Sequence, residues 1–484
     1  LSGEPMRPTF HFTPARNWMN DPNGLVWYDG EYHLFFQYNP LGSAWGNMSW
    51  GHAVSRDLTT WEELPVALEH TPTEAVFSGS VVVDRANTSG LGSDGTPAMV
   101  AVYTSHDLIT GHQGQSVAWS TDKGRTWTRH PKNPVLEIGS TDFRDPKVSW
   151  YAEGGYWVMA VALSTERVVR LYRSDDLVAW THLSDFGPAG SVEGIWECPD
   201  LFPLAVDGDP THTRWMLVVS VQVGGPAGGS GTQYFVGDFD GTTFTADPVP
   251  GADPGGASWV DFGADYYAAV SFNDEPHGRR LVLAWMSNWD YGREVPTRPY
   301  RGAMSAARSY ELRTRRDQLV LAQAPVVEGL AAQAQRNTST EVVDGVHALP
   351  DSWRGSSAVL TVELDPGTAS RCGLHVRVGD GERTVVGYDT AERTLYVDRT
   401  LSGDTGFHPD FRAVHSAPLD LDEGDRLALE IHIDTTSVEV YADGGRVVIT
   451  DLVFPSPTSD RIAVFAEGGA AHLHSLTRTP VTRG

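Results

Sequence analysis

Three acidic residues sit in local settings unlike those of ordinary surface carboxylates. Asp21 lies in Asn17-Trp18-Met19-Asn20-Asp21-Pro22-Asn23-Gly24, where carboxamides and an indole crowd one carboxylate. The Asn23-Gly24 turn pair and the apolar run Leu25-Val26-Trp27-Tyr28 place Asp21 where an incoming strand begins. Asp145 lies in Asp142-Phe143-Arg144-Asp145-Pro146. Pro146 restricts its backbone, and the neighbouring Arg144 predicts a carboxylate held ionised. Glu197, in Gly194-Ile195-Trp196-Glu197-Cys198-Pro199-Asp200, is flanked by an indole and a thiol. Partial desolvation there predicts a carboxyl that keeps its proton, as a general acid must. One ionised and one protonated carboxyl are what cleavage of a glycosidic bond requires. These settings do not say which of them is the nucleophile.

Groups suited to holding a sugar surround these positions. Amides and hydroxyls match sugar hydroxyls, and aromatic faces cover the C–H surface of a ring. The candidate contacts are Asn20, Gln37, Trp45, Phe77, Ser78, Arg144, Cys198, Trp289 and Tyr300, with Asn39, Trp50 and the His112-Gln113 pair nearby in type. At least half of the 16 tryptophans are expected in the core.

Bringing residues so distant in sequence together requires a particular scaffold. Short alternating strands recur from the start: Tyr32–Tyr38, Gly79–Val83 and Ala98–Tyr103. Between them a weak motif returns, ending at Trp61, Trp127, Trp180 and, in degenerate form, Phe244, with a fifth copy around Glu311–Leu321. Units of roughly 60 residues, each with several strands, predict propeller blades. The expected architecture is all-β: a five-bladed β-propeller over 1–325, a linker over 326–340 with a possible helix after Pro325, and a β-sandwich over 341–484. The competing arrangement is an ordinary β-sandwich with Asp-Trp turns by chance. Strands Ala358–Leu364, Leu427–Ile433 and Ser437–Tyr441, separated by Asp-Gly and Gly-Gly turns, predict the C-terminal sandwich.

Composition narrows the partners. The 484 residues carry 36 Lys plus Arg against 62 Asp plus Glu, a formal net charge of -26. Such a balance opposes binding to nucleic acid or anionic membranes and suits a neutral sugar. No apolar run is long enough to span a membrane, and Cys198 and Cys372 give neither a disulfide framework nor zinc spacing. No metal or cofactor is expected, because the three carboxylates come without a His or Cys ligand cluster. The start at Leu1 reads as processed, which suggests export.

Trp18–Gly24, Phe143–Pro146 and Trp196–Asp200 resemble, in order, the three signature motifs of glycoside hydrolase family 32. Trp50–Ser55, Phe77–Ser80 and the residues from Asp142 onward are similar to its fructan-degrading exo-inulinase and levanase branch, and Ser437–Tyr441 resembles its sandwich signature. The resemblance implies a propeller carrying the active site, followed by a sandwich. It also implies Asp21 as nucleophile, Glu197 as acid/base and Asp145 as transition-state stabiliser. The retaining mechanism it implies would bring Asp21 and Glu197 to about 5–5.5 Å. The expected substrate is a fructan oligosaccharide or polysaccharide. Intramolecular transfer on levan, giving a difructose dianhydride, is the expected outcome; hydrolysis by a levanase or inulinase, an invertase and a non-catalytic sugar-binding propeller are the alternatives. Fructanase relatives usually carry Trp where Tyr300 stands, so this position marks a departure in the substrate contacts.

Overall fold

The recurring motif is the outer corner of a blade. Ser55, Ser120 and Ser174 each donate a hydroxyl to the aspartate two residues on, at 3.2, 2.7 and 3.1 Å. Asp57 and Asp176 then accept backbone N–H bonds from the residues two and three positions on at 2.7–2.9 Å, and Asp240 does so without a serine. This Asx turn closes the backbone without a ladder. The indoles of Trp61, Trp127 and Trp180 donate to the carbonyls of Leu58, Gly124 and Leu177 at 2.9–3.2 Å. Each corner carries the chain from the third to the fourth strand.

In the computed structural model, residues 4–93, 95–248, 256–327, 329–330, 335–337, 341–422 and 424–481 are described. Five antiparallel blades follow in order. Their innermost strands are Asn17–Tyr28, Glu74–Asp84, Phe143–Tyr151, Trp196–Val206 and Tyr267–Ser271. These five stand side by side in a ring. The fifth blade is completed by Arg280–Trp285, Arg308–Arg315 and Gln318–Pro325. Tyr300–Arg301 pairs in parallel with Asn17–Trp18 and so ties the end of the ring to its beginning. Apolar residues from facing blades fill the space between them, as Val100, Phe143, Val148 and Met159 do between the second and third.

All five inner strands lose register near their first residues. The breaks fall between Met19 and Pro22, Val76 and Gly79, Arg144 and Lys147, Glu197 and Asp200, and Tyr267 and Val270. Asp145, Cys198 and Ala268 occupy the left-handed region there, with φ of 67°, 48° and 56°. A bulge bends the strand and re-aims side chains. Here it turns residues from five strands toward one end of the channel.

Below that end the channel is crossed by polar ties. Asn273 donates to the carbonyls of Val81 and Val148 (2.9 and 3.0 Å), and the buried Lys147 reaches Ser271 and Asp200. The mouth is therefore a blind pocket.

The C-terminal strands form one continuous sheet that folds into two layers around an apolar core. Arg461–Pro480 belongs to both layers, pairing first with Arg371–Val378 and then with Ala358–Asp365. The helix expected after Pro325 falls partly on residues 328 and 331–334, outside the described residues. The described part makes a turn, with Leu330 N–H donating to Val327 (2.9 Å), and then the strand Gln335–Asn337 paired with Leu476–Arg478. The tail of the expected linker thus already belongs to the sandwich sheet.

Propeller and sandwich meet through buried ion pairs. His11 bridges Asp434 and Glu439 at 2.9 and 2.7 Å, and Arg308 bridges Asp261 and Glu439 at 2.8 and 2.6 Å. Phe262 and Asp265 add backbone bonds to the edge strand Val447–Leu452, which covers an otherwise open ladder.

Candidate active site

The bulges deliver Asp21, Asp145 and Glu197 to one pocket of about 260 Å³, together with Asn20, Gln37, Trp45, Phe77, Ser78, Arg144 and Trp289. Asp21 Oδ2 accepts the Ser78 hydroxyl at 2.8 Å, and Asp21 Oδ1 is buried without a hydrogen-bond partner. Asp145 Oδ2 accepts the backbone N–H of Cys198 at 3.0 Å. The Cys198 thiol lies 3.6 Å from an oxygen of each aspartate. Glu197 accepts from Arg144 Nε at 3.1 Å on Oε1 and from the Tyr267 hydroxyl on Oε2.

Burial, followed by the charge of Glu197, pushes the Asp21 carboxyl up to about 6. The bonds from Ser78, Asn20 and Cys198 hold it down in part. Asp145 is pushed up to about 7, again by burial first and Glu197 second, with Arg144 opposing. Three carboxyls in one dry pocket cannot all ionise freely.

Two expectations about these environments are corrected. Arg144 does not bond Asp145: its guanidinium goes to Glu197, Gln113 and Asp142. Burial and the Glu197 charge therefore prevail over the Arg144 charge, and Asp145 is harder to ionise than an ordinary aspartate. Nor do the neighbours of Glu197 wrap it in apolar surface. Trp196 packs into the core between the third and fourth blades, its indole donating to Ser191 at 2.9 Å, and Cys198 turns to the aspartates. Glu197 faces two fixed donors instead.

The substrate-contact candidates divide. Trp289 stacks on Trp18 with ring centroids 6.1 Å apart, and its buried indole N–H has no partner. Trp45, 43% exposed, stands over Phe77 at the rim. Cys198 lies behind the aspartates rather than on the wall. Tyr300 does not reach the pocket: it is 1% exposed, donates its hydroxyl to the carbonyl of Met6 at 2.5 Å and lies under Arg7. The cis Arg298-Pro299 bond precedes it, and its strand serves ring closure. Trp50 is likewise core, its indole bonded to Phe77 O at 2.9 Å. Among the described residues no group of three His, Cys, Asp or Glu side chains is arranged to hold a metal ion.

The model of the glycosyl hydrolases family 32 N-terminal domain matches residues 11–325, and that of the family's C-terminal domain matches residues 326–480. The chain belongs to glycosyl hydrolase family 32. A levanase of Bacillus subtilis is 45% identical over 99% of this chain and 71% of its own length. An extracellular exo-inulinase of Aspergillus niger is 39% identical over 98% of this chain and 95% of its own. Among solved structures, the exo-inulinase of Aspergillus awamori superposes with a TM-score of 0.93 at 37% identity, covering 100% of this chain and 99% of that one. A fructofuranosidase of Schwanniomyces occidentalis in complex with fructose gives 0.90 at 31% identity over 99% of each chain.

This family 32 pocket also contains residues that the sequence motifs did not mark: Gln222 and Arg293 on the wall, and Tyr267 behind Glu197. Tyr267 opens the fifth inner strand as the carboxylates open or nearly open theirs. That equivalence is the signal that could have found it; the residues around it, Tyr266 and Ala268, carry none.

Proposed function

We propose that this chain is an exo-acting fructan hydrolase, a levanase or inulinase, that removes terminal β-fructofuranosyl units with retention. The observation that carries this is the blind pocket of about 260 Å³ with three carboxyls at its floor and wall. A pocket closed below accepts a chain end, whereas a mid-chain segment needs an open groove. The similarity of nearly the whole chain to enzymes named levanase and exo-inulinase supports hydrolysis over the intramolecular transfer expected from the sequence.

In this reading Asp21 attacks the anomeric carbon of the terminal fructosyl unit while Glu197 gives its proton to the departing glycosidic oxygen. A fructosyl ester on Asp21 results. Glu197, now ionised, takes a proton from water, whose oxygen attacks the same carbon and frees Asp21. Asp145 takes sugar hydroxyls, and the rings of Trp289, Trp45 and Phe77 cover the sugar's apolar side. Arg144 and Tyr267 fix both oxygens of Glu197. The catalytic domain is taken as 1–325 and the sandwich as 341–484, with the intervening 326–340 already giving the strand Gln335–Asn337 to the sandwich sheet. Export is part of the proposal, supported by a relative named as extracellular.

Product chromatography after incubation with levan, inulin and sucrose tests the proposal. Free fructose as the first product from a fructan is expected; a difructose dianhydride as main product would restore the transferase reading. Rapid sucrose cleavage with both fructans left intact would make the chain an invertase.

A further inference from the structure

Trp289 and Tyr267 are both governed from outside the propeller. Two residues after Trp289, Tyr291 turns away from the pocket and is 2% exposed. Its hydroxyl donates to Asp265 Oδ1 at 2.7 Å and accepts from Arg399 Nη2 at 3.0 Å. Arg399, on the sandwich strand Thr394–Leu401, is fully buried. Its Nη1 donates to Asp265 Oδ2 at 2.7 Å, its Nε donates to Phe411 O at 2.6 Å, and its guanidinium lies 3.9 Å over the Phe411 ring.

Asp265 is the junction. It stands two residues before Tyr267, which donates to Glu197. The carbonyl of Ala264, its neighbour, accepts Asn288 Nδ2 at 2.8 Å, and Asn288 immediately precedes Trp289. The segment is further pinned by a backbone bond from Asp265 N to Thr450 O (3.1 Å), and the Leu452 backbone N–H donates to the side-chain Oδ2 of Asp265 (2.8 Å). One buried carboxylate, neutralised by one sandwich cation, therefore anchors the aromatic wall on one side and the donor to Glu197 on the other. A buried carboxylate needs such a partner, and the planar guanidinium supplies it through Nη1 while Nη2 and Nε hold Tyr291 and Phe411, a geometry that lysine cannot reproduce.

We propose that Arg399 of the sandwich is a positioning residue for the active site, acting through Asp265 and Tyr291 to hold Trp289 and Tyr267. The second domain thereby sets substrate affinity as well as supporting the fold. This rests on the reading of the pocket as the fructosyl site.

Two variants of the full chain test it. Tyr291→Phe keeps the ring against Phe411 but removes the hydroxyl between Arg399 and Asp265. It is expected to raise KM for levan or inulin about tenfold with kcat nearly unchanged, since the wall binds the ground state and the transition state alike. Arg399→Lys keeps the charge and loses the fork, and is expected to lower kcat as well, because Tyr267 is released too. Hydrogen exchange is measured on the same proteins, with faster exchange expected at 264–267 and 287–292 in both variants. Wild-type kinetic constants in a folded Tyr291→Phe, or unchanged exchange in those two segments, would overturn the coupling; a fall in melting temperature alone counts against it. If the wild-type protein turns over no fructan, the functional reading fails, and the exchange measurement still decides the coupling.

Discussion

Tyr267 donates its hydroxyl to Oε2 of Glu197 while Arg144 holds Oε1 of the same carboxylate. The two donors come from the fifth and third blades and the acceptor from the fourth, so three inner strands must be in register for Glu197 to point at the leaving oxygen. Tyr267→Phe removes one donor without changing the ring. The bond fixes where Glu197 points, and a catalytic group left about 1 Å out of place costs on the order of 100-fold, so kcat/KM on fructan should fall roughly 10- to 100-fold. Steady-state kinetics at one pH and temperature, with circular dichroism as a check on folding, measure it.

The proposed nucleophile is also a liability for stability. Asp21 is pushed up from 3.8 to about 6 by burial and by Glu197. Below the unfolded value both states are protonated and nothing is lost; as pH rises through 6 the folded state must ionise a group it prefers neutral, and stability declines. The deficit above pH 6 is on the order of 3 kcal/mol. Asp21→Asn should therefore abolish turnover and raise the melting temperature at pH 8, with a much smaller gain at pH 4. Calorimetry of the two proteins at both pH values checks this. The wild-type acid limb of kcat/KM should fall near pH 6, because Asp21 must be ionised to attack.

Two buried histidines give stability opposite pH dependence. His33, bonded to His52 at 3.1 Å in the first blade, is lowered to about 4, chiefly by burial. Its contribution is complete above 6.5 and is lost as pH falls from there toward 4, because only the unfolded chain takes the proton. His11 at the sandwich interface is raised to about 9: burial alone would lower it, but the bonds to Asp434 and Glu439 prevail. Its contribution is complete below 6.5 and is lost as pH rises through 9. His33→Gln should flatten the acid side of a melting-temperature profile, and His11→Gln the alkaline side while lowering the whole curve. A profile of either variant parallel to wild type would contradict the assignment.

The fold and the three carboxylates were legible because they are written in local chemistry. The blade count followed from Asx turns, where Ser55, Asp57 and Trp61 bond within one corner, and such a corner leaves a motif in sequence. The strands Ala358–Asp365, Leu427–Asp434 and Ser437–Ala442 alternate strongly enough to be read directly. What stayed hidden depends on long-range geometry. Arg144 was expected to face Asp145, its chain neighbour, but the bulge at Asp145 turns the two side chains to different partners. Trp196 and Cys198 were expected to desolvate Glu197, but neighbours along a strand point to opposite sides. Tyr300 had the right residue type in a suggestive stretch, yet its strand closes the ring and buries it. Tyr267 and Arg399 had no local signature, since each matters through a residue far away in sequence.

Cys198 offers a direct handle on the charge state of the pocket. Its thiol lies 3.6 Å from Oδ2 of both Asp21 and Asp145, and its bond to Asp21 works to lower that carboxyl. A thiol is a weak donor and a hydroxyl a strong one. Cys198→Ser therefore favours the ionised aspartate more than the natural residue does, and Cys198→Ala favours it less. The acid limb of kcat/KM should move below pH 6 in the serine variant and above it in the alanine variant, with the alanine variant losing most of its rate at pH 5.5. Both side chains fit the space of the thiol, and Cys198 backbone N–H to Asp145 is retained in each, so Asp145 keeps its position. Profiles of kcat/KM against pH for the three proteins decide the matter: an acid limb that stays in place would mean that the thiol has no hold on Asp21.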